Sequence, residues 1–413
     1  MPNLTYDASG DLVVTDPTDG STIVYNMGDI AWVLASYRIG LDHGAPVSVS
    51  STRVFYGKRP LHLIQTHRSQ LFPVRRKNAL SMIYLSMMTI AVVSFQWFFW
   101  GFSLAFSEGA NLFIGDLKHF ALRGVLEKPS IGSAKIPSIV FCVYQLMFAA
   151  ITHGWSFVHG SYDFAGGTPV HISSGTAALA ISIYLGKRRG YGTEALAYKP
   201  HNTTYVILGT LFLWFGWFGF NGGSALSANI RAASACIVTN LAASVGGLTW
   251  MAWDYRIEKK WSAVGFCSGA IAGLVAITPG IRFRTVCNFA TQIKFFAGYD
   301  DSLDVFASHA VGGIVASPPT DGFTVIPGGW LDRHWIQLAW HVADSCAGLA
   351  YSFVMTTIIL WIMHYIPGMR LRVSEETEDL GIDEVDMGEY AYDYVGLEDY
   401  AAARRQPCHR DRR

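Results

Sequence analysis

The run "ALSMIYLSMMTIAVVSFQWFFWGFSLAF", Ala79 to Phe106, decides the class of fold. It contains no Asp, Glu, Lys or Arg, and it exceeds the ~20 apolar residues needed to cross a ~30 Å hydrocarbon layer. A second uncharged run, "TYVILGTLFLWFGWFGF", covers Thr204 to Phe220, and "WIQLAWHVADSCAGLAYSFVMTTIILWIMHYI" covers Trp335 to Ile366. Of the 413 residues, 51% are hydrophobic and 15% charged, against ~25% charged in a soluble domain. Mean hydropathy is +0.27. Nothing soluble needs several such runs, so the chain reads as an all-α polytopic membrane protein. Its 31 basic and 31 acidic residues cancel, which points away from a nucleic-acid partner.

Working outward, spans are expected near 79–106, 137–152, 171–186, 204–221, 234–253, 262–279, 285–298, 304–316 and 336–366. Lys/Arg clusters set the orientation. "RRKN" (Arg75 to Asn78), "GKRRGYG" (Gly186 to Gly192), "RIEKKW" (Arg256 to Trp261) and "MRLR" (Met369 to Arg372) are expected on the cytoplasmic side. The polar start "MPNLTYDASGDLVVTDPTDG" reads as lacking a signal peptide, and its sequon at Asn3 would face outside if a span lay between it and Arg75. From Glu375 the chain turns acidic and reads as a cytosolic tail, ordered only if it docks on the membrane body. Five of the six cysteines lie in or beside apolar runs and Cys408 lies in the tail. Packing is the reading their spacing supports, with neither a disulfide framework nor a metal site.

Two regions put histidine inside apolar sequence. In "DFAGGTPVH", Asp163 to His171, an aspartate, a Gly-Gly pair and a histidine open an uncharged segment. In "DVFASHAVGGI", His309 follows Asp304 and precedes a second Gly-Gly pair. A lone histidine satisfied by a backbone carbonyl is the structural alternative for either one. Two of them, each beside an aspartate and small residues, favour function, because ionisable groups within the bilayer are costly. The glycines permit close helix approach, so both imidazoles could share one narrow lumen. A third feature is "WFGWFGFNGGSA", Trp214 to Ala225. Its aromatic stripe suits core or lipid packing, yet Phe220, Asn221 and Ser224 also suit a cation vestibule of ring faces and a hydroxyl.

These stretches, with "GFCSGAIAGLVAITP", "GYDDSLDVFASHAVGG" and "GIDEVDMGEYAYDY", resemble the ammonium transporter, methylammonium permease and Rhesus family, in its fungal branch. The resemblance covers most of 79–400. It implies eleven helices in inverted repeats of five plus one, and a homotrimer with one pore per subunit in the plasma membrane. The N-terminus would be extracellular and the C-terminus cytoplasmic. It implies ammonium or ammonia as the transported species, methylammonium as an analogue, the lipid bilayer as surroundings, no cofactor and no enzyme activity. By matching motifs, His171 and His309 correspond to the paired pore histidines, and Phe148 and Phe220 to gating phenylalanines. Asp163, Ser224, Tyr144 and Trp217 fall at substrate-contacting positions. Gly381, Asp383, Gly388, Glu389 and Tyr392 fall at tail-coupling positions. The logic implied is charge stripping: ammonium sheds a proton and continues as ammonia past neutral imidazoles, with the proton relayed separately, whereas potassium cannot.

Four breaks interrupt the resemblance. After "GDIAWVLAS" (Gly28 to Ser36) a charged, turn-rich stretch replaces the rest of the first helix, and the match resumes at Arg75. After "VYQLMFAAIT" the end of the third helix and a whole fourth helix are missing, including the family's outer-site tryptophan. The orientation rule registers that loss, since 171–186 would end outside although "KRR" closes it. "ITPGIRFRTVCNFATQ" shortens the ninth helix and "GGIVASPPTDGF" the tenth, and "AAARRQPCHRDRR" also departs from the pattern. The expected organisation is an extracellular segment 1–28, a disrupted first-helix region 29–78, a membrane domain 79–367 and a cytoplasmic tail 368–413. Intact motifs flanked by abrupt breaks are what skipped exons or retained introns leave. The alternatives to an active transporter are therefore a non-transporting product of an ammonium permease gene with wrongly drawn exons or aberrant splicing, or an ammonium sensor. A histidine-based metalloenzyme lacks the i, i+4 histidine pair with its glutamate.

Overall fold

The computed structural model describes residues 3–15, 20–41, 79–109, 114–146, 163–188, 203–278, 297–299, 306–311, 335–369 and 371–389. Phe148, Tyr392 and most of the 285–298 span lie outside the described residues. Three short strands, β1 (Asn3–Tyr6), β2 (Leu12–Thr15) and β3 (Thr22–Tyr25), form an antiparallel meander. No strand was expected there from the sequence. The turn between β1 and β2 is fixed by Asp7, whose Oδ1 accepts from Ser9 N, Ser9 Oγ and Asp11 N. β3 leads into α1 (Met27–Leu41), where the Asn26 side chain caps the helix by accepting from Asp29 N at 2.9 Å.

α1 keeps helical backbone five residues past Ser36, into the stretch expected to interrupt the first helix. Its 15 residues reach roughly 22 Å at 1.5 Å per residue, short of a bilayer. It is anchored to the end of α6, introduced below, by Trp32 Nε1 donating to Gly222 O at 3.2 Å. Buried Asp29 meanwhile accepts from Ser227 Oγ and Ala228 N at 2.9 and 2.8 Å.

The membrane body follows. α2 (Ala79–Gln96) runs through a π-helical turn (Trp97–Gly101) into α3 (Phe102–Phe106). α4 (Ser138–Gln145) packs back on this end, with Trp97 Nε1 donating to Cys142 O and Phe106 edge-on to Phe141. A second π-helical turn (Gly167–Ile172) opens α5 (Ser173–Leu185). Then come α6 (Thr203–Gly223), α7 (Ile230–Glu258) and α8 (Ala263–Ile277), a third π-helical turn (Phe306–Val311), and α9 (Trp335–Tyr365). Among the described residues, windows within α6, α7 and α9 are long and apolar enough to cross a membrane. α7 and α8 lie unusually close because their contact is built from small residues. A Cβ on Gly246 would stand 2.4 Å from Gly269 O, and one on Gly273 2.4 Å from Ala242 O. The i, i+4 spacing of both pairs is the small-residue seam of membrane helices.

The tail docks. α10 (Glu375–Leu380) leads to a π-helical turn (Asp383–Met387), and the Asp383 carboxylate caps the start of α2. It accepts from Leu80 N, Ser81 N and Ser81 Oγ at 2.9, 2.7 and 2.6 Å. Arg372 donates to Leu185 O at 2.9 Å and Lys187 O at 2.7 Å, satisfying the carbonyl end of α5. The start of α2, the end of α5 and the tail therefore share one face.

α4 also reaches the end of α6. α4 is eight residues, about 12 Å, and its Tyr144 hydroxyl meets Phe220 O and Ser224 Oγ near the end of α6. Ala165 N donates to Thr278 O, and Thr278 holds Trp217, one turn of α6 from Phe220.

Candidate functional site

At the centre the two histidines meet. His171 sits on the π-helical turn before α5 and His309 on the turn Phe306–Val311. Their Nδ1 atoms are 3.2 Å apart and their rings 5.3 Å apart at 43°. Gly175 makes the approach possible, since a Cβ there would lie 2.3 Å from Ala310 N. A π-helical turn carries one residue more than an α turn, and both imidazoles use it to reach off their helix lines.

His171 is nearly enclosed, at 3% exposure. One face stacks on Trp217 at 5.5 Å and 17°, and Phe220 tilts over it at 5.9 Å. Its Nε2 lies 3.3 Å from Thr278 Oγ1, which also accepts from Trp217 Nε1 at 2.9 Å and donates to Leu274 O at 3.0 Å. A hydroxyl has one proton and two lone pairs. A Thr278 proton given to Leu274 O would leave both neighbours to donate and put the His171 proton on Nε2. Its Nδ1 would then be the acceptor and His309 Nδ1–H the donor. In that arrangement the pair is a directed hydrogen-bond chain, Trp217 and Thr278 holding one end and His309 the other.

Tyr144 and Ser224, 80 positions apart in the chain, form the next group along α6. The Tyr144 hydroxyl donates to Phe220 O at 2.9 Å and lies 3.2 Å from Ser224 Oγ, which itself donates to Phe220 O at 2.8 Å. Gly223 is required beside them, because a Cβ would meet the Tyr144 hydroxyl at 2.7 Å. Trp217 does not join this group. It lies one turn along, in the wall around His171.

Asp163 answers to its own loop. Its carboxylate accepts from Gly166 N, Gly167 N and Thr168 N at 3.1, 2.5 and 2.8 Å, closing a turn whose Gly166 sits at φ +88°. It is the cap that starts the His171 turn, and its charge is spent first on backbone amides. Of the tail residues, Gly381 and Gly388 hold φ of +110° and +65°, and Asp383 makes the contacts given above. Phe148, the second expected gate residue, lies outside the described residues. No group of metal-binding side chains occurs among the described residues.

Sequence reasoning missed Thr278 and the contact of Thr168 with Asp344, whose Oδ2 accepts from Thr168 Oγ1 at 2.8 Å. Asp344 was visible as the one Asp, Glu, Lys or Arg in the 31 residues of α9. Thr278, just before a proline at the end of an apolar run, gave no such signal.

Fold and site together define a polytopic membrane protein with an aromatic-walled histidine pair at its centre. Residues 65–154 and 152–392 match the Ammonium Transporter Family. The chain belongs to that family. It is 43% identical to Ammonium transporter 1 of Schizosaccharomyces pombe over 434 residues, covering 90% of this chain and 83% of the relative. It is 41% identical to Ammonium transporter MEP2 of Saccharomyces cerevisiae, covering 77% of this chain and 78% of the relative. The crystal structure of Candida albicans Mep2 superposes with a TM-score of 0.74 at 37% identity, covering 89% of this chain and 91% of that one. The two family matches overlap at 152–154, where the second break falls. The alignment to the S. pombe relative is longer than this whole chain, so that relative carries segments this chain lacks.

Proposed function

We propose that the chain is an ammonium transporter of the plasma membrane, taking methylammonium as an analogue, and works as a homotrimer with one pore per subunit. The observation that carries this is the contact between half-buried His309 and a buried His171 walled by Trp217 and Phe220, in a chain whose family relatives are named ammonium transporters. The segment 1–28 is extracellular, 79–367 the membrane body and 368–413 cytoplasmic. The cation arrives at Phe220, Tyr144 and Ser224, where a ring face and hydroxyl oxygens attract it. Asp163, anchored to its loop amides, adds negative potential and takes part in deprotonation. Phe148 pairs with Phe220 as the gate. Ammonia then passes the neutral imidazoles, and the released proton follows the His171–His309 hydrogen bond. Potassium has no proton to shed and stalls in the apolar lumen. The tail couples through Asp383, Gly381, Gly388, Glu389 and Tyr392.

The test is uptake of labelled methylammonium by cells lacking their own transporters. The chain should restore uptake, and His171→Ala or His309→Ala should abolish it. Undiminished uptake in either variant would defeat the proposal. A second reading, a chain that inserts but does not transport, draws on the segments present in the S. pombe relative and absent here. Inserted protein with no uptake, and uptake restored on grafting those segments, would favour it.

A further inference from the structure

One face of α9 follows the His171 turn closely. Asp344 Oδ2 accepts from Thr168 Oγ1 at 2.8 Å. One turn on, Gly348 leaves no room for a side chain, since a Cβ would lie 2.6 Å from Thr168 Cγ2. Another turn on, Ser352 Oγ donates to Ser173 O at 2.6 Å. Positions i, i+4 and i+8 of a helix share a face. Thr168 and Ser173 bracket the residues Pro169 to Ile172, so α9 grips the π-helical turn at both ends of the stretch that carries His171. A π-helical turn is rare and is found frequently at functional sites, and these contacts hold this one at both ends. Thr168 also donates its backbone N–H to Asp163 Oδ2 at 2.8 Å. One threonine therefore ties Asp163, through its amide, to Asp344, through its hydroxyl.

A carboxyl group within an apolar span is costly, and Asp344 is the single Asp or Glu of α9. A purely packing role would be met by alanine or leucine. A hydrogen bond to a threonine at the start of the histidine turn requires an acceptor.

We propose that Asp344, with Gly348 and Ser352, is the positioning element that sets the His171 turn, and with it the His171–His309 contact on which selective ammonium passage depends. The selectivity part rests on the function proposed above; the geometric part does not. Asp344 acts through Thr168 and touches neither histidine.

The experiment uses the full chain in lipid bilayers with ¹⁵N-labelled histidine, as parent, Asp344→Leu, Asp344→Asn and Ser352→Ala. Solid-state NMR reads the Nδ1–Nδ1 contact between the two imidazoles, whether or not the protein transports. Methylammonium uptake is read in parallel, with competition by potassium. The contact should be present in the parent, lost in Asp344→Leu, retained in Asp344→Asn and weakened in Ser352→Ala. Methylammonium uptake relative to potassium should fall about 10-fold to 100-fold in Asp344→Leu, the scale at which ~1 Å misplacement acts. The asparagine variant should recover most of it. If Asp344→Leu fails to fold, the asparagine and Ser352→Ala variants carry the same comparison. An unchanged imidazole contact in Asp344→Leu, or its loss in Asp344→Asn, would overturn the proposal. An intact contact in a parent that does not transport would defeat the function while the comparison of contacts still judges this inference.

Discussion

Thr278→Val removes one hydroxyl and keeps the side chain's shape, and the structure says what that hydroxyl holds. Thr278 is fully enclosed and accepts from Trp217 Nε1 at 2.9 Å, with Trp217 itself 2% exposed. Valine leaves that indole N–H without its acceptor in a dry site, at a cost of about 1–3 kcal/mol. His171 Nε2–H loses its acceptor at 3.3 Å in the same step. The two losses share one atom and are not additive, so the upper half of that range is the expected destabilisation. Thr278→Ser separates hydroxyl from methyl: it keeps both bonds and forfeits one buried methyl, about 0.8 kcal/mol. Equilibrium unfolding in detergent should rank parent, serine and valine in that order. The ¹⁵N histidine spectrum should show the Nε2–H tautomer at His171 in parent and serine, and a mixture in valine. A valine variant within about 0.5 kcal/mol of parent, with the Nε2–H tautomer intact, would refute the hydrogen-bond chain derived for this site.

Other consequences are equally direct. Gly175→Val should drive the His309 turn away from α5, because even a Cβ there would lie 2.3 Å from Ala310 N; loss of the imidazole contact by NMR checks it. Asp383→Ala should free the tail and uncap α2, at about 0.5–2 kcal/mol for the cap; faster proteolysis within 371–389 with an intact membrane body is the readout. Ser9 and the turn amides hold the Asp7 carboxyl below its ordinary range. A depressed folded pKa stabilises above the unfolded value of ~3.9 and is lost as pH falls through the folded one. The β1–β2 turn should therefore loosen only in strong acid, and Asp7→Asn should remove that dependence from the amide exchange of Asp11.

Much of this was legible in the chain. Charge-free runs longer than a bilayer gave the class, and ionisable residues set into them gave His171 and His309, because such groups are expensive in lipid unless they serve something. What periodicity could not give was depth. Trp217 and Phe220 lie on α6 and Ser224 just past its end, and only packing decides that Trp217 faces His171 while Ser224 faces Tyr144. Thr278 was invisible because a lone threonine at a helix end is ordinary until the carbonyl, the indole and the imidazole converge on it. The three strands were missed because "LVVT" and "TIVY" are four residues each within a stretch read as polar start.

The most direct measurement reconstitutes the full chain in sealed liposomes and follows internal pH and membrane current on adding ammonium or potassium. The account expects a response to ammonium, none to potassium, and loss of the ammonium response when His171 and His309 are both replaced by alanine. Equal responses to the two cations, or an ammonium response that survives the double replacement, would contradict it.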